Sequence, residues 1–220
     1  MSRRIAVLAS GRGSNLQAIL EAIAAGALDA EIVGVFSDRA DAAALDKVPE
    51  ALRWSASPRA WPDRAAFDAA LADAVAAARP DWIVCAGYMR ILGEAFIARF
   101  EGRLLNIHPS LLPKYRGLHT HQRALDAGDA EHGASVHFVV PELDAGTVIA
   151  QARIPVLAGD DAAALAARLL PREHALLVAT LRLATAGRLA ERDGKAHLDD
   201  QPLFSPLSLD STGDLTRPDD

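Results

Sequence analysis

The sequence predicts an α/β fold: a single-domain, Rossmann-like sheet, mostly parallel, with helices on both faces and an antiparallel hairpin in the C-terminal half. Three observations predict it. Short apolar runs alternate with helical patterns from Ile5 to Ile107, which is the order of a parallel sheet with crossover helices. The first run passes through Gly11-Arg12-Gly13-Ser14-Asn15 directly into a helical repeat. After His108 the pattern changes to two strand-like runs separated by PELDAGT, whose Gly146 supplies turn freedom.

Taken in order, Ile5 to Ala9 is a β-rich run, and Leu16, Ile19, Leu20 and Ile23 then recur at helical spacing until Gly26 closes the helix. Glu31 to Phe36 reads as the second strand. Asp41 to Glu50 is expected to hold a short helix stopped near Pro49, followed by a weak strand around Leu52 to Trp54. Phe67, Leu71 and Val75, spaced by four between Asp63 and Ala78, predict an amphipathic helix ended by Pro80. Asp81 to Ala86 is the next strand, Glu94 to Phe100 a helix, and Arg103 to Ile107 the central strand. A helix over Thr120 to Ala127, strands at Ala134 to Val140 and Val148 to Ile154, and a long helix from Asp161 to Ala186 complete the reading. Pro171 is expected to kink or divide that last helix, because it removes a backbone donor.

The composition sets the class. A chain of 220 residues, 50% hydrophobic and 24% charged, fits one ordinary globular domain, placed at 1–190, with a polar tail at 191–220 expected to be loosely held or disordered. The net charge of -6 argues against nucleic acid as a partner. The single cysteine, Cys85, lies in an apolar run and reads as a small buried thiol. The N-terminal apolar run is too short for a signal peptide or a membrane span, so a cytoplasmic location without membrane contact is expected.

Chemistry concentrates at LLNIHPSLLPKYRG, Leu104 to Gly117. Alternation along a strand puts Asn106 and His108 on one face at the carboxyl end, where open parallel sheets bind ligands. An amide donor beside an imidazole suits a carbonyl under attack, whose oxygen gains negative charge. A backbone-satisfied strand-end histidine is the alternative. GRGSN offers backbone N–H groups and a helix N-terminus to a phosphate, or is a tight turn in which Ser14 or Asn15 caps the helix. It lacks the third glycine of the dinucleotide fingerprint and the Gly-Lys-Ser/Thr of a Walker loop. His119, His121, His132 and His137 match no metal signature, and no metal is expected.

Five separated motifs then agree: GRGSNLQAI, CAGYMRIL, LLNIHPSLLPKYRGLHTH, HGASVHFV and PELDAGTVIAQ. Together they resemble the phosphoribosylglycinamide formyltransferases, folate-dependent enzymes of purine biosynthesis, over about Ile5 to Arg188. The resemblance implies Asn106, His108 and Asp144 as catalytic trio. It implies Gly11, Arg12, Gly13, Ser14 and Asn15 for the phosphate of 5-phosphoribosylglycinamide, with Glu173 for its glycinamide and ribose end. Arg64, Met89, Arg90, Ile91 and Leu92, with Val140, Pro141, Glu142 and Leu143, would bind the cosubstrate 10-formyltetrahydrofolate, the arginine at 64 near its glutamate tail. Asp144 would orient His108 and raise its pKa, with His137 as polar support behind. Arg116 departs from the family's pattern, which has proline there. A monomer or homodimer is expected. Three other readings remain: a formyltetrahydrofolate hydrolase; a non-catalytic dinucleotide-binding module with Asp38 on the ribose; and a transfer RNA formyltransferase, which would need a further RNA-binding domain.

Overall fold

Residues 2–217 are described in a computed structural model. They divide into two compact units, residues 1–106 with 139–141, and residues 107–138 with 142–220, taken here over their described residues. No linker of distinctive composition marks the division; the chain passes from one unit to the other within a strand.

The first unit contains β1 (Arg3–Leu8), α1 (Ser14–Ala24), β2 (Ala30–Ser37), β3 (Arg53–Ser55), α2 (Arg64–Ala77), β4 (Trp82–Cys85), α3 (Glu94–Arg99) and the first residues of β5 (Leu104–His108). Its strands lie in the order β3-β2-β1-β4-β5, every pair parallel. β1 is covered on both sides. Ala6 and Leu8 share a core with Phe67, Leu71 and Val75 of α2 and Phe96 and Ile97 of α3. Ile5 and Val7, which alternation points the other way, are equally closed to solvent, as are Leu16 and Ile19 of α1. Asp63 caps α2 by accepting from the Ala66 N–H at 2.8 Å. The strand order reverses between β1 and β4, and their carboxyl ends are tied by a Ser10 N–H to Gly87 carbonyl bond of 3.0 Å. A doubly wound sheet binds ligands at such a reversal.

The helix expected over Asp41 to Glu50 is instead two short 3₁₀ turns, Leu45–Lys47 and Glu50–Leu52. The Ala44 N–H bonds the Gly11 carbonyl at 3.0 Å, so this segment bends to close the glycine loop.

The second unit holds α4 (Thr120–Asp126), β6 (Glu131–Phe138), β7 (Val148–Pro155), α5 (Ala162–Thr185), β8 (Leu189–Arg192), β9 (Lys195–Leu198), β10 (Gln201–Pro202), β11 (Leu207–Leu209) and β12 (Leu215–Thr216). β6 and β7 form the expected antiparallel hairpin. Their register carries pairing back to Glu131 opposite Pro155, which starts β6 before the predicted Ala134. Gly133 lies inside this ladder, where a Cβ would sit 2.0 Å from the Ala152 carbonyl oxygen. Gly133→Ala is therefore expected to cost more than ~3 kcal/mol, read as a lower urea midpoint at unchanged slope.

Two expectations need correction here. α5 is not divided; it runs unbroken through Pro171. Leu165, Leu169, Leu176, Leu177 and Leu181 are fully buried on either side of the proline, and this packing outweighs one lost backbone bond. Nor is the stretch after 190 a loose tail. Its described residues, to 217, form β8 through β12, with β11 parallel to β7 and Ala196, Leu207 and Leu209 buried. Sparse apolar residues at alternate positions suffice when an existing strand edge accepts them. The remaining residues of the 191–220 segment, 218–220, lie outside those described.

Candidate active site

Strand β5 presents Asn106 and His108 as alternation requires, and His108 is 6% exposed. Its Nε2 meets the Tyr115 carbonyl at 3.0 Å and its Nδ1 stands 3.4 Å from Asp144 Oδ2. The same carboxylate receives the Gly117 N–H at 2.8 Å, and its Oδ1 lies 3.6 Å from His137 Nε2. Asp144 holds this position from a left-handed backbone, φ 48°, a conformation that aspartate tolerates better than most residues. His137, placed behind Asp144 by the sequence, is there, its Nδ1 facing the Phe138 carbonyl at 2.7 Å.

Electrostatics partly reverse the expectation for His108. Burial pushes its pKa below the ordinary histidine value; the Tyr115 carbonyl and Asp144 oppose that shift without overcoming it. Asp144 goes the other way from its burial. Desolvation alone would raise its carboxyl, but His137, the Gly117 N–H and His108 hold it below the usual range. A firmly ionised carboxylate thus stands beside an imidazole that is neutral in the free protein at pH 7, with a ring nitrogen turned to each of two acceptors.

In the first unit the glycine loop has the form a phosphate needs. Gly13, at φ 70°, is the N-cap of α1 and makes no side-chain cap, so neither Ser14 nor Asn15 caps the helix. The first helical bond runs from the Gln17 N–H to the Gly13 carbonyl, so α1 starts directly at the loop and turns its positive end toward it. A Cβ on Gly13 would lie 2.7 Å from that of Ala44, so the loop admits only glycine there. Lys47, which the sequence reading missed, reaches this loop: its Cε is 3.4 Å from that same point and its Nζ bonds Gln17 Oε1 at 3.1 Å. No local pattern marks Lys47; the bend that breaks the expected helix brings it in. Lys47→Met is expected to raise the KM for a phosphorylated substrate about tenfold with kcat nearly unchanged, as for an interaction present equally before and during reaction.

Met89 to Leu92 follows β4 at the reversal. Met89 and Ile91 are 65% and 52% exposed, whereas Leu92 joins the core. The Arg90 guanidinium lies over Phe67 at 5.1 Å, and Arg64 Nη2 donates to the Ile91 carbonyl at 2.7 Å. Uncovered apolar side chains on a backbone pinned from below suit a flat ligand. Ser10, another residue the sequence reading passed over, fixes the segment's start. Its hydroxyl accepts from the Met89 N–H at 2.9 Å and donates to Asp38 Oδ1 at 2.5 Å. Asp38 is thereby engaged inside the fold, against a role on a ribose.

Of the remaining expected residues, Val140 and Pro141 belong to the first unit and Glu142 and Leu143 to the second. Arg116 pairs with Glu142 at 2.5 Å, an exposed contact that proline could not make. Glu173 lies half-buried on α5. His121 and His132 face each other at 2.9 Å. Among the described residues no group of three or more His, Cys, Asp or Glu is arranged to hold one, and no helix is long and apolar enough to cross a membrane.

A family model described as formyl transferase matches residues 3–181. The chain is 47% identical over 201 residues to the phosphoribosylglycinamide formyltransferase of Escherichia coli (strain K12), covering 90% of this chain and 95% of that one. Among solved structures, the phosphoribosylglycinamide formyltransferase of Coxiella burnetii is 44% identical with a TM-score of 0.87, over 92% of this chain and 96% of that one. A formyltetrahydrofolate deformylase from Pseudomonas syringae pv. tomato shares the fold at 26% identity and a TM-score of 0.79, over 90% of this chain and 66% of that one.

Proposed function

Because the chain belongs to the formyl transferase family, we propose that it moves the formyl group of 10-formyltetrahydrofolate to the glycinamide amine of 5-phosphoribosylglycinamide, a step of purine biosynthesis. The observation that carries this reading is the pairing of His108 with a carboxylate held ionised by His137, the Gly117 N–H and His108 itself, two residues along the strand from the amide of Asn106. The higher identity to phosphoribosylglycinamide formyltransferases than to the deformylase, together with the glycine turn at the N-terminus of α1, favours transfer to a phosphorylated amine over hydrolysis.

The amine attacks the formyl carbon, and the carbonyl oxygen becomes an oxyanion. The Asn106 amide N–H donates to it. His108 starts neutral, because burial disfavours its charge. As it attacks, the amine gives up a proton to the imidazole, whose positive charge the new oxyanion and Asp144 favour, so that His108 donates to the oxygen as imidazolium. That same proton passes on to the folate nitrogen as the tetrahedral carbon collapses, His108 returns to neutral, and no bond to the enzyme forms. Gly11, Arg12, Gly13, Ser14, Asn15 and Lys47 hold the phosphate, with Glu173 toward the glycinamide. Arg64, Met89 to Leu92 and Val140 to Leu143 hold the folate. The small-molecule substrates, the absence of nucleic acid and membrane as partners, a cytoplasmic location and a monomer or homodimer are part of the same proposal.

Purified protein with 10-formyltetrahydrofolate should release tetrahydrofolate only when the nucleotide is added. Formate release without the nucleotide would replace transfer with hydrolysis.

A further inference from the structure

One face of β6 carries a polar cluster that the reaction above does not use. Alternation puts Gly133, Ser135 and His137 on that face, and Gln151 of β7 stands opposite Ser135 in the hairpin register. Ser135 is 0% and Gln151 8% exposed. The Ser135 hydroxyl donates to the Ser110 carbonyl at 2.7 Å and accepts from the Leu112 N–H at 3.1 Å. The Gln151 amide nitrogen donates to the Leu112 carbonyl at 2.9 Å and to Ser135 Oγ at 3.0 Å. These bonds use the one proton and both lone pairs of the hydroxyl, and both protons of the amide. All of these residues lie in the second unit.

We propose that Gln151 is a positioning residue for His108, acting through the loop between β5 and α4. This rests on the reading of His108 as catalytic. Leu112 lies in no strand or helix, yet both its backbone polar groups are held by side chains of β6 and β7. Ser110, held by its carbonyl, passes the constraint on, since its own hydroxyl donates to the Lys114 carbonyl at 2.7 Å. The next residue, Tyr115, turns its carbonyl to His108 Nε2, and Gly117 gives its N–H to Asp144. The chain of bonds that starts at Gln151 thus ends at the contacts that orient both His108 and Asp144.

The rest of that face serves the same loop. Gly133 leaves room for Leu111, whose Cδ2 would lie 2.5 Å from a Cβ there, and His137 faces Asp144 at 3.6 Å. Tyr115 needs such support, because it holds a left-handed backbone at φ 57°, which a residue other than glycine keeps only where its surroundings impose it. The outer side of the loop is fixed by Asp129, which accepts from Lys114 Nζ at 3.0 Å and from the Tyr115 hydroxyl at 2.8 Å. Lys114 is 59% exposed, so water competes for that contact. The bonds of Ser135 and Gln151 are closed to water and lie in a low dielectric, where each is stronger. They therefore set where the loop sits, and removing the Gln151 donors frees the Leu112 carbonyl.

The experiment compares the parent with Gln151→Met, which keeps the length of the side chain and removes both donors. Thr180→Val serves as a control for stability alone, because Thr180 is buried and its hydroxyl bonds the Leu176 carbonyl of its own helix. Kinetics are taken at a temperature where urea unfolding shows every variant folded. Gln151→Met should lower kcat about tenfold, the scale of a small misplacement of a reacting group, with the KM for each substrate within about twofold. Released from its cover, His108 regains water, so the acid limb of kcat/KM should rise from its parental position toward about pH 6.5. The groups that face the ring, Asp144, His137, Arg123 and His121, are the same in parent and variant. Thr180→Val should lower the urea midpoint and leave kcat and the limb at parental values. Gln151→Met with parental kcat and limb, or with its loss in KM instead, would overturn the proposal by assigning Gln151 to stability or to binding. Ser135→Ala, which keeps the bond from Gln151 to Leu112, gives the same two readouts at smaller amplitude and decides the case should Gln151→Met fail to fold. A parent that transfers no formyl group overturns the proposed function, and this inference with it.

Discussion

His108→Ala is expected to lower kcat by about 10²–10⁴, the range for losing a positioned proton donor at a charge-developing oxygen. Asp144→Asn should follow at about 10²–10³. Asparagine is the sharper test, because its carbonyl can still accept the Gly117 N–H now bonded at 2.8 Å, so the turn persists while the charge is gone. Circular dichroism and unfolding should match the parent, with the loss confined to kcat. The pH profile supplies an independent check. Burial sets the His108 pKa below its ordinary value, and Asp144 opposes that shift. The acid limb of kcat/KM should thus lie below pH 6.5 in the parent, and move to still lower pH in Asp144→Asn, since the charge that favours imidazolium is removed. Near-parental turnover in both variants, or a limb that moves upward, would remove the roles assigned to these two residues.

The second large effect concerns stability. His132 is 1% exposed, and burial, then the neighbouring His121, push its pKa down to about 4. In the unfolded chain it takes a proton below about 6.5. Between those values the unfolded state holds more protons than the folded one, so stability present above pH 6.5 is lost as pH falls toward 4. The loss should reach about 3 kcal/mol. His132→Phe, apolar and without a proton to gain, should show a shallower decline over the same window when urea midpoints are measured from pH 7 to 4. A parent and variant that fall in parallel would assign the acid sensitivity to other groups.

Much of the candidate site was legible because its signals are local. A strand's two-residue period placed Asn106 and His108 on one face, and the family motifs added Asp144 and His137. Asp144 was assigned its partner by resemblance, and its left-handed turn makes the approach possible. Lys47 and Ser10 were not legible, since each matters through a partner far along the chain, Lys47 through Gln17 and Ser10 through Asp38 and Met89. The sign of the His108 shift was also hidden. The sequence shows that a carboxylate is available, but it cannot weigh that charge against the cost of burying the ring.

By itself, then, the chain's order of residues determined the parallel βαβ framework, the glycine turn ahead of α1, the hairpin of β6 and β7 and the placing of Asn106 and His108 on one strand. These follow from periodicity and from backbone rules that act over a few residues. The tertiary structure alone decided that the Asp41 to Glu50 stretch bends into 3₁₀ turns, that α5 continues through Pro171, and that the stretch after 190 becomes strands. In each case local preference is worth a kilocalorie or a few, and burial against a surface formed by distant residues is worth more. Packing therefore overrides propensity wherever such a surface is offered.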